Sequence, residues 1–116
     1  IYKGLERITG QRILPLPQFH KADIILSFDS DFLHMETHDI AAAKGFAKKR
    51  KLISEKDDMN RLYMVEPSFS VTGGMADHRL SVPSKDIPQF ALALVKALAE
   101  LDCKAPGWEA WPDPDQ

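Results

Sequence analysis

Ala22-Asp23-Ile24-Ile25-Leu26-Ser27-Phe28 is a continuous run of β-prone residues halted by Asp29-Ser30-Asp31. An apolar run this short predicts a strand buried on both faces, because a strand wetted on one side alternates polar and apolar residues. Downstream, Ile40, Ala43, Phe46 and Ala47 recur at helical spacing while Lys44, Lys48, Lys49 and Arg50 take other positions. That pattern predicts an amphipathic helix over residues 38–51. Thr37 is placed to cap its start, Asp39 lies in its first turn, and the basic cluster falls in its last turn, at the negative end of the helix dipole. A polar connection over residues 54–60 leads to Leu62-Tyr63-Met64-Val65, a second buried-strand run ended by Glu66-Pro67. Strand, helix, strand is a crossover unit, which joins parallel strands.

Working outward, Ile13 to Leu16 reads as a short edge strand, since Pro15 and Pro17 cannot donate to a central ladder. Residues 68–76, with Gly73-Gly74, read as a flexible loop. His78-Arg79-Leu80-Ser81-Val82 reads as a third strand. Ser84-Lys85-Asp86-Ile87-Pro88 places a capping residue, an acid and a proline in one turn, all suited to a helix start. The helix that follows carries Leu92, Leu94, Val95, Leu98 and Leu101, and Pro106-Gly107 marks its end. Alternation of this kind predicts a layered α/β domain over residues 1–105, with residues 106–116 an irregular tail or linker.

The 116 residues are one domain's worth of chain. Hydrophobic residues at 44% and charged residues at 28% match ordinary soluble usage, which argues against disorder. The apolar stretch over residues 91–99 is broken by Lys96 and falls well short of the roughly 20 residues a bilayer crossing needs, so no direct membrane insertion is expected. A net charge of −2 gives no clustered positive surface for nucleic acid. Cys103 is the only cysteine, which excludes an internal disulfide and any iron–sulfur cluster held by this chain's cysteines alone. The chain opens on Ile1 and closes on Pro112-Asp113-Pro114-Asp115-Gln116, and it is expected to be a segment of a longer polypeptide.

Parallel α/β sheets bind ligands beyond the carboxyl ends of their strands, which directs attention to residues 29–31 and 66–68. Glu66 is placed to accept hydrogen bonds from a ribose hydroxyl, or is simply a solvated acid at a strand end. Asp29 and Asp31 have the chemistry to ligate Mg²⁺ or Ca²⁺, although two acids in a turn more commonly serve turn formation and capping. The turn after Phe28 contains no glycine, so the usual backbone cradle for a pyrophosphate is missing, and two carboxylates there repel an anionic cofactor unless a cation bridges them. A receiver-type phospho-acceptor pocket needs a lysine after a later strand, and Glu66-Pro67-Ser68 supplies none. His34 and His38, with Glu36 and Asp39 nearby, sit in the segment leading into the helix, where their spacing need not put them on one face, and read as solvated loop or helix-start histidines rather than as a zinc pair. His20 and His78 have no partner visible in the sequence. No nucleophile with its base stands out. Residues 48–51 read as a solvated basic helix end. Trp108 and Trp111 are costly to leave in water and are expected to pack on this domain or on neighbouring parts of the parent.

Taken in order, Ala22-Asp23-Ile24-Ile25-Leu26-Ser27-Phe28-Asp29-Ser30-Asp31-Phe32-Leu33, Met59-Asn60-Arg61-Leu62-Tyr63-Met64-Val65-Glu66-Pro67, and Thr72-Gly73-Gly74-Met75-Ala76-Asp77-His78-Arg79-Leu80 with Pro83-Ser84-Lys85-Asp86 resemble the molybdopterin oxidoreductase family. Within it, the chain most resembles the large iron–sulfur subunit of alternative complex III, a bacterial quinol:cytochrome c oxidoreductase. The resemblance covers roughly residues 10–101 and implies a Rossmann-like three-layer α/β domain with a mainly parallel sheet. In active members this domain binds part of a molybdopterin guanine dinucleotide. Position by position, Asp29 and Asp31 match a Gly-x-Asn turn near the nucleotide, Glu66 an acid at the ribose, and Asp86 an acid that reads guanine. The aspartates at 29 and 31 depart from that pattern and place bulk and negative charge where the family brings backbone close to the cofactor.

The resemblance therefore implies a non-catalytic scaffold domain, with Asp29, Asp31, Glu66 and Asp86 the vestige of a cofactor site. No cofactor is expected in this segment. Iron–sulfur clusters are expected elsewhere in the parent, and the expected partners are other domains of that chain and subunits of a membrane respiratory complex on the periplasmic side. The alternative is a molybdopterin guanine dinucleotide-binding domain of an active molybdenum oxidoreductase.

Overall fold

In the structure, a computed structural model describing residues 2–101 (backbone only at Tyr2), the sheet is built around β2 (Arg61–Glu66). It lies between β1 (Ile24–Phe28) and β3 (His78–Ser81), and both pairings are parallel. The register sets Ile25 beside Leu62, Ser27 beside Met64, Met64 beside Arg79, and Glu66 beside Ser81. These residues share one face of the sheet, because side chains alternate with a period of two. The opposite face carries Ile24, Leu26, Phe28, Tyr63, Val65, His78 and Leu80.

The first face is sealed by α2 (Asp39–Arg50), the crossover between β1 and β2. Phe46 enters a core of Ile25, Phe32 and Leu62, with Phe19 stacked on Phe32 at 4.3 Å. Full burial of such a side chain contributes about 1.5–3 kcal/mol. α2 turns Phe46 inward as its spacing predicts, but Ile40 is 70% exposed and Ala47 also faces out. The 3₁₀ turn Phe19–Lys21 takes the space beside α2 instead, close against Gly45. Thr37 does not cap α2. His38 holds the preceding position with φ 70°, and the Ile40 amide donates to Asp39 Oδ1 at 2.7 Å.

Arg50 is not a solvated helix end. Its guanidinium donates to both carboxylate oxygens of Asp77, one at 2.9 Å, and to the Asn60 carbonyl at 3.2 Å. Asp77 also accepts from the Leu62 amide at 2.8 Å, so the last turn of α2 is clamped to the amino ends of β2 and β3. Arg50's two hydrogen bonds are the chief cause that lowers the Asp77 carboxyl to about 2. Burial opposes them and the Leu62 amide adds to them.

The second face meets α4 (Ile87–Glu100), entered through the 3₁₀ turn Ser84–Asp86, and Phe90 packs edge-on against Phe28 at 6.2 Å. The sheet thus has a helical layer on each side, an α/β arrangement of Rossmann-like type. Cover on this second face is incomplete: Ile24 is 67% exposed and Leu26 42%, so β1 is buried on one face only, where the sequence predicts two. Residues 13–16 form no strand and run irregularly across the surface. A helix not anticipated from the sequence, α1 (Tyr2–Thr9), precedes them and ends at Gly10, whose φ of 71° returns its amide to the Glu6 carbonyl. Trp108, Trp111 and the boundary at residue 106 lie outside the described residues. Among the described residues, no helix is long and apolar enough to cross a membrane.

Candidate functional site

β1 and β2 end side by side; Asp31, in the turn after β1, and Glu66, the last residue of β2, both take hydrogen bonds from one short segment and its cap, and Glu66 also pairs with Arg79 of β3. That segment is α3 (Val71–Gly74), a single helical turn where the glycines suggest a flexible loop. Ser70 caps it by accepting from the Gly73 amide at 2.9 Å, a role open to a serine in extended backbone before a helical turn.

Glu66 is 1% exposed at the end of β2. Its Oε1 accepts from the Nε of Arg79 at 2.6 Å and from the Ser70 amide at 3.2 Å, and its Oε2 accepts from the Ser70 hydroxyl. Burial alone raises its pKa, but the Ser70 hydroxyl, Arg79 and the Ser70 amide together outweigh that and hold it below the usual carboxylate range. Gly73 is required here by space. A β-carbon on it would stand 2.7 Å from Glu66 Cδ and nearer still to Oε1. The Arg79 guanidinium lies over the exposed Phe69 ring, 5.0 Å from its centroid.

Asp31 is bound by the same turn. Its Oδ1 accepts from the amide of Thr72 at 2.8 Å and from the Thr72 hydroxyl at 2.7 Å. Thr72, fully buried, in turn accepts from the Leu33 amide at 3.1 Å. Burial pushes the Asp31 carboxyl up, and the Thr72 bonds bring it net below its ordinary value. Asp29 stands at φ 49°, the left-handed region that glycine adopts without strain, and its amide donates to the Val65 carbonyl at 2.8 Å. Asp86 lies apart, in the turn before α4, paired with Lys85 at 3.1 Å. Among the described residues, no hydrogen bond or ion pair joins it to the other three.

The structure therefore brings Asp31 and Glu66 together through α3, sets Asp29 beside them through the backbone, and leaves Asp86 separate. Ser70, Thr72, Gly73 and Arg79 complete the group and were not legible as site residues. A serine three positions before a glycine was the one available signal. Chemically the arrangement is closed. A carboxylate that is 1% exposed and already holds three donors has no approach for a ribose hydroxyl. The amides of Asp29 and Leu33 are engaged by the Val65 carbonyl and the Thr72 hydroxyl. These residues do not fit a pyrophosphate or ribose in this arrangement.

The histidines are dispersed. His78 stacks on Tyr63 at 4.7 Å, and His20 lies against α2 near Gly45. Among the described residues, no group of three or more histidine, cysteine, aspartate or glutamate side chains is placed to hold a metal ion. The chain matches no protein-family model and no curated protein.

Proposed function

We propose that this chain is a non-catalytic scaffold domain of a molybdopterin oxidoreductase-like iron–sulfur subunit within a quinol:cytochrome c oxidoreductase complex. The observation that carries the reading is the closure of Glu66. The acid that would receive a ribose in active relatives is turned inward and consumed by Ser70 and Arg79, so it serves to hold α3 on the sheet. The same use of Asp31 by Thr72 supports it, as does the aspartate at position 29, where a close phosphate calls for glycine. In this reading Asp29, Asp31, Glu66 and Asp86 retain the outline of a nucleotide site without its function. The domain's partners are the rest of its own polypeptide and the other subunits of a respiratory complex on the periplasmic side of the membrane, with the iron–sulfur clusters held elsewhere.

The test is elemental and cofactor analysis of the intact subunit isolated with its complex. Iron and acid-labile sulfide without stoichiometric molybdenum or pterin is the expected result, and molybdenum with pterin at about one per chain overturns the proposal. Calorimetry with guanosine diphosphate at millimolar concentration should give no binding heat. Binding that weakens in Asp86→Ala would favour a cofactor-binding domain of an active molybdenum enzyme.

A further inference from the structure

Between α4 and the second face of the sheet lies a hollow of about 460 Å³. It reaches from Leu26 of β1 across Val65 of β2 to Leu80 of β3, and Leu94 and Leu98 of α4 form its wall. Leu26, Leu80 and Leu98 remain 42%, 46% and 39% exposed, so the helix walls this space without filling it. A concave site lined by apolar side chains, with a few polar groups at one end, is the form of a small-ligand pocket.

α4 sets the length of the groove. Phe90 and Leu98 both line it, and a helix rising 1.5 Å per residue places them about 12 Å apart along its axis. Phe90 closes one end by packing edge-on against Phe28. With carbon–carbon bonds of about 1.5 Å, a zigzag alkyl chain of about ten carbons covers that distance.

The other end carries a cation. The register sets Arg61 beside Ile24, and the alternation of side chains puts it on the same face as Ile24 and Tyr63, both of which line the hollow. Arg61 is exposed and interacts with the Tyr63 hydroxyl, and among the described residues no carboxylate forms an ion pair with it. His78, stacked on Tyr63, lines the same end and adds a polar ring. The acids next to Ile24 and His78 in the chain are engaged on the opposite face, Asp23 by Lys49 at 2.9 Å and Asp77 by Arg50. A guanidinium keeps its charge throughout the pH range in which proteins fold, and its donors match a carboxylate in geometry.

We propose that this groove binds a medium-chain fatty acid, with the carboxylate on Arg61 and the alkyl chain laid along α4 toward Phe90. The site lies on the face of the sheet opposite Glu66 and shares no residue with the closed group around α3.

Calorimetry of straight-chain carboxylates on the intact polypeptide, in detergent-free buffer, tests this. Affinity should rise about fourfold per methylene from hexanoate to decanoate, the gain expected from burying each CH₂, and level off by dodecanoate, when the chain outruns the groove. No binding of decanoate at millimolar concentration overturns the proposal, and so does a rise that continues unchanged through tetradecanoate. Octanol, which has no charge, should bind about tenfold more weakly than octanoate. Arg61→Gln should bring octanoate down to the level of octanol and leave octanol unchanged. Equal losses for the two ligands, or no loss for octanoate, removes the carboxylate from Arg61 and overturns the assignment. Leu26→Trp fills the middle of the groove from a half-exposed position and should abolish binding of both ligands at an unchanged denaturation midpoint. Retained binding in that variant places the ligand elsewhere and overturns the proposal. Should Leu26→Trp fail to fold, the chain-length series and Arg61→Gln decide the matter.

Discussion

Asp31 and Thr72 are joined by two hydrogen bonds to one carboxylate oxygen, at 2.7 and 2.8 Å, across 41 residues of chain. The Thr72 hydroxyl also accepts from Leu33, so one buried oxygen fixes the turn after β1 against α3. Thr72→Val keeps the shape but leaves the Leu33 amide and Asp31 each short of a partner, at an expected cost of about 1–3 kcal/mol in urea unfolding. Thr72→Ser retains the hydroxyl and should cost about 1 kcal/mol or less. Equal losses in the two variants would mean that packing, not the hydrogen bonds, holds the turn.

Gly73→Ala should destabilise by at least about 2 kcal/mol, because the new methyl displaces Glu66 from Ser70 and Arg79 in a site with no slack. Gly74→Ala is its control. There the nearest atom is Phe69 Cζ at 3.3 Å, on a ring 74% exposed and free to move, so the change should be near neutral. The comparison is read from denaturation midpoints of the two variants.

At position 29 the backbone ranks the substitutions. With φ at 49°, Asp29→Gly should match or slightly exceed the parent in stability, relief of the left-handed conformation being offset by the freer unfolded chain. Asp29→Val, branched at Cβ, should cost about 1–2 kcal/mol. A valine variant as stable as the glycine variant would show that the turn relaxes to negative φ.

The Arg50–Asp77 clamp sets a pH dependence. Folding lowers the Asp77 pKa from 3.8 to about 2, so its stabilisation is complete above about pH 4 and is lost as pH falls through about 2. The pair is partly exposed, and solvent screening limits the contribution to about 1 kcal/mol. Between pH 5 and pH 2, Asp77→Asn should show a loss of stability smaller by about that amount. Identical acid profiles would remove Asp77 from the account.

The parallel sheet was legible because Ile24 to Phe28 and Leu62 to Val65 are apolar runs separated by a helix of the right length. His78 to Ser81 followed from position alone. What escaped reading depended on cross-chain partners. Arg50 looks like one more lysine-rich helix end until Asp77 is found opposite it. Thr72-Gly73-Gly74 looks like slack chain until Glu66 is seen filling the space above Gly73. Thr37 was a sound candidate cap, but His38 took the bend and Asp39 supplied the local acceptor. Ile40 fitted the helical period, yet the Phe19–Lys21 turn determined which stripe of α2 faces inward. Of the candidate site, the acids at 31 and 66 were visible as residues, but their inward use was not.

Glu66 occupies the volume that any side chain at position 73 would need. Sequence change at these two positions therefore has a direction. Shortening 66 first opens room for a larger neighbour at 73, whereas enlarging 73 first forces the carboxylate out and passes through a poorly folded chain. A library that randomises both positions together should recover folded pairings of small with large that neither single-site library contains, and the allowed histories of this strand end are fewer than its allowed sequences.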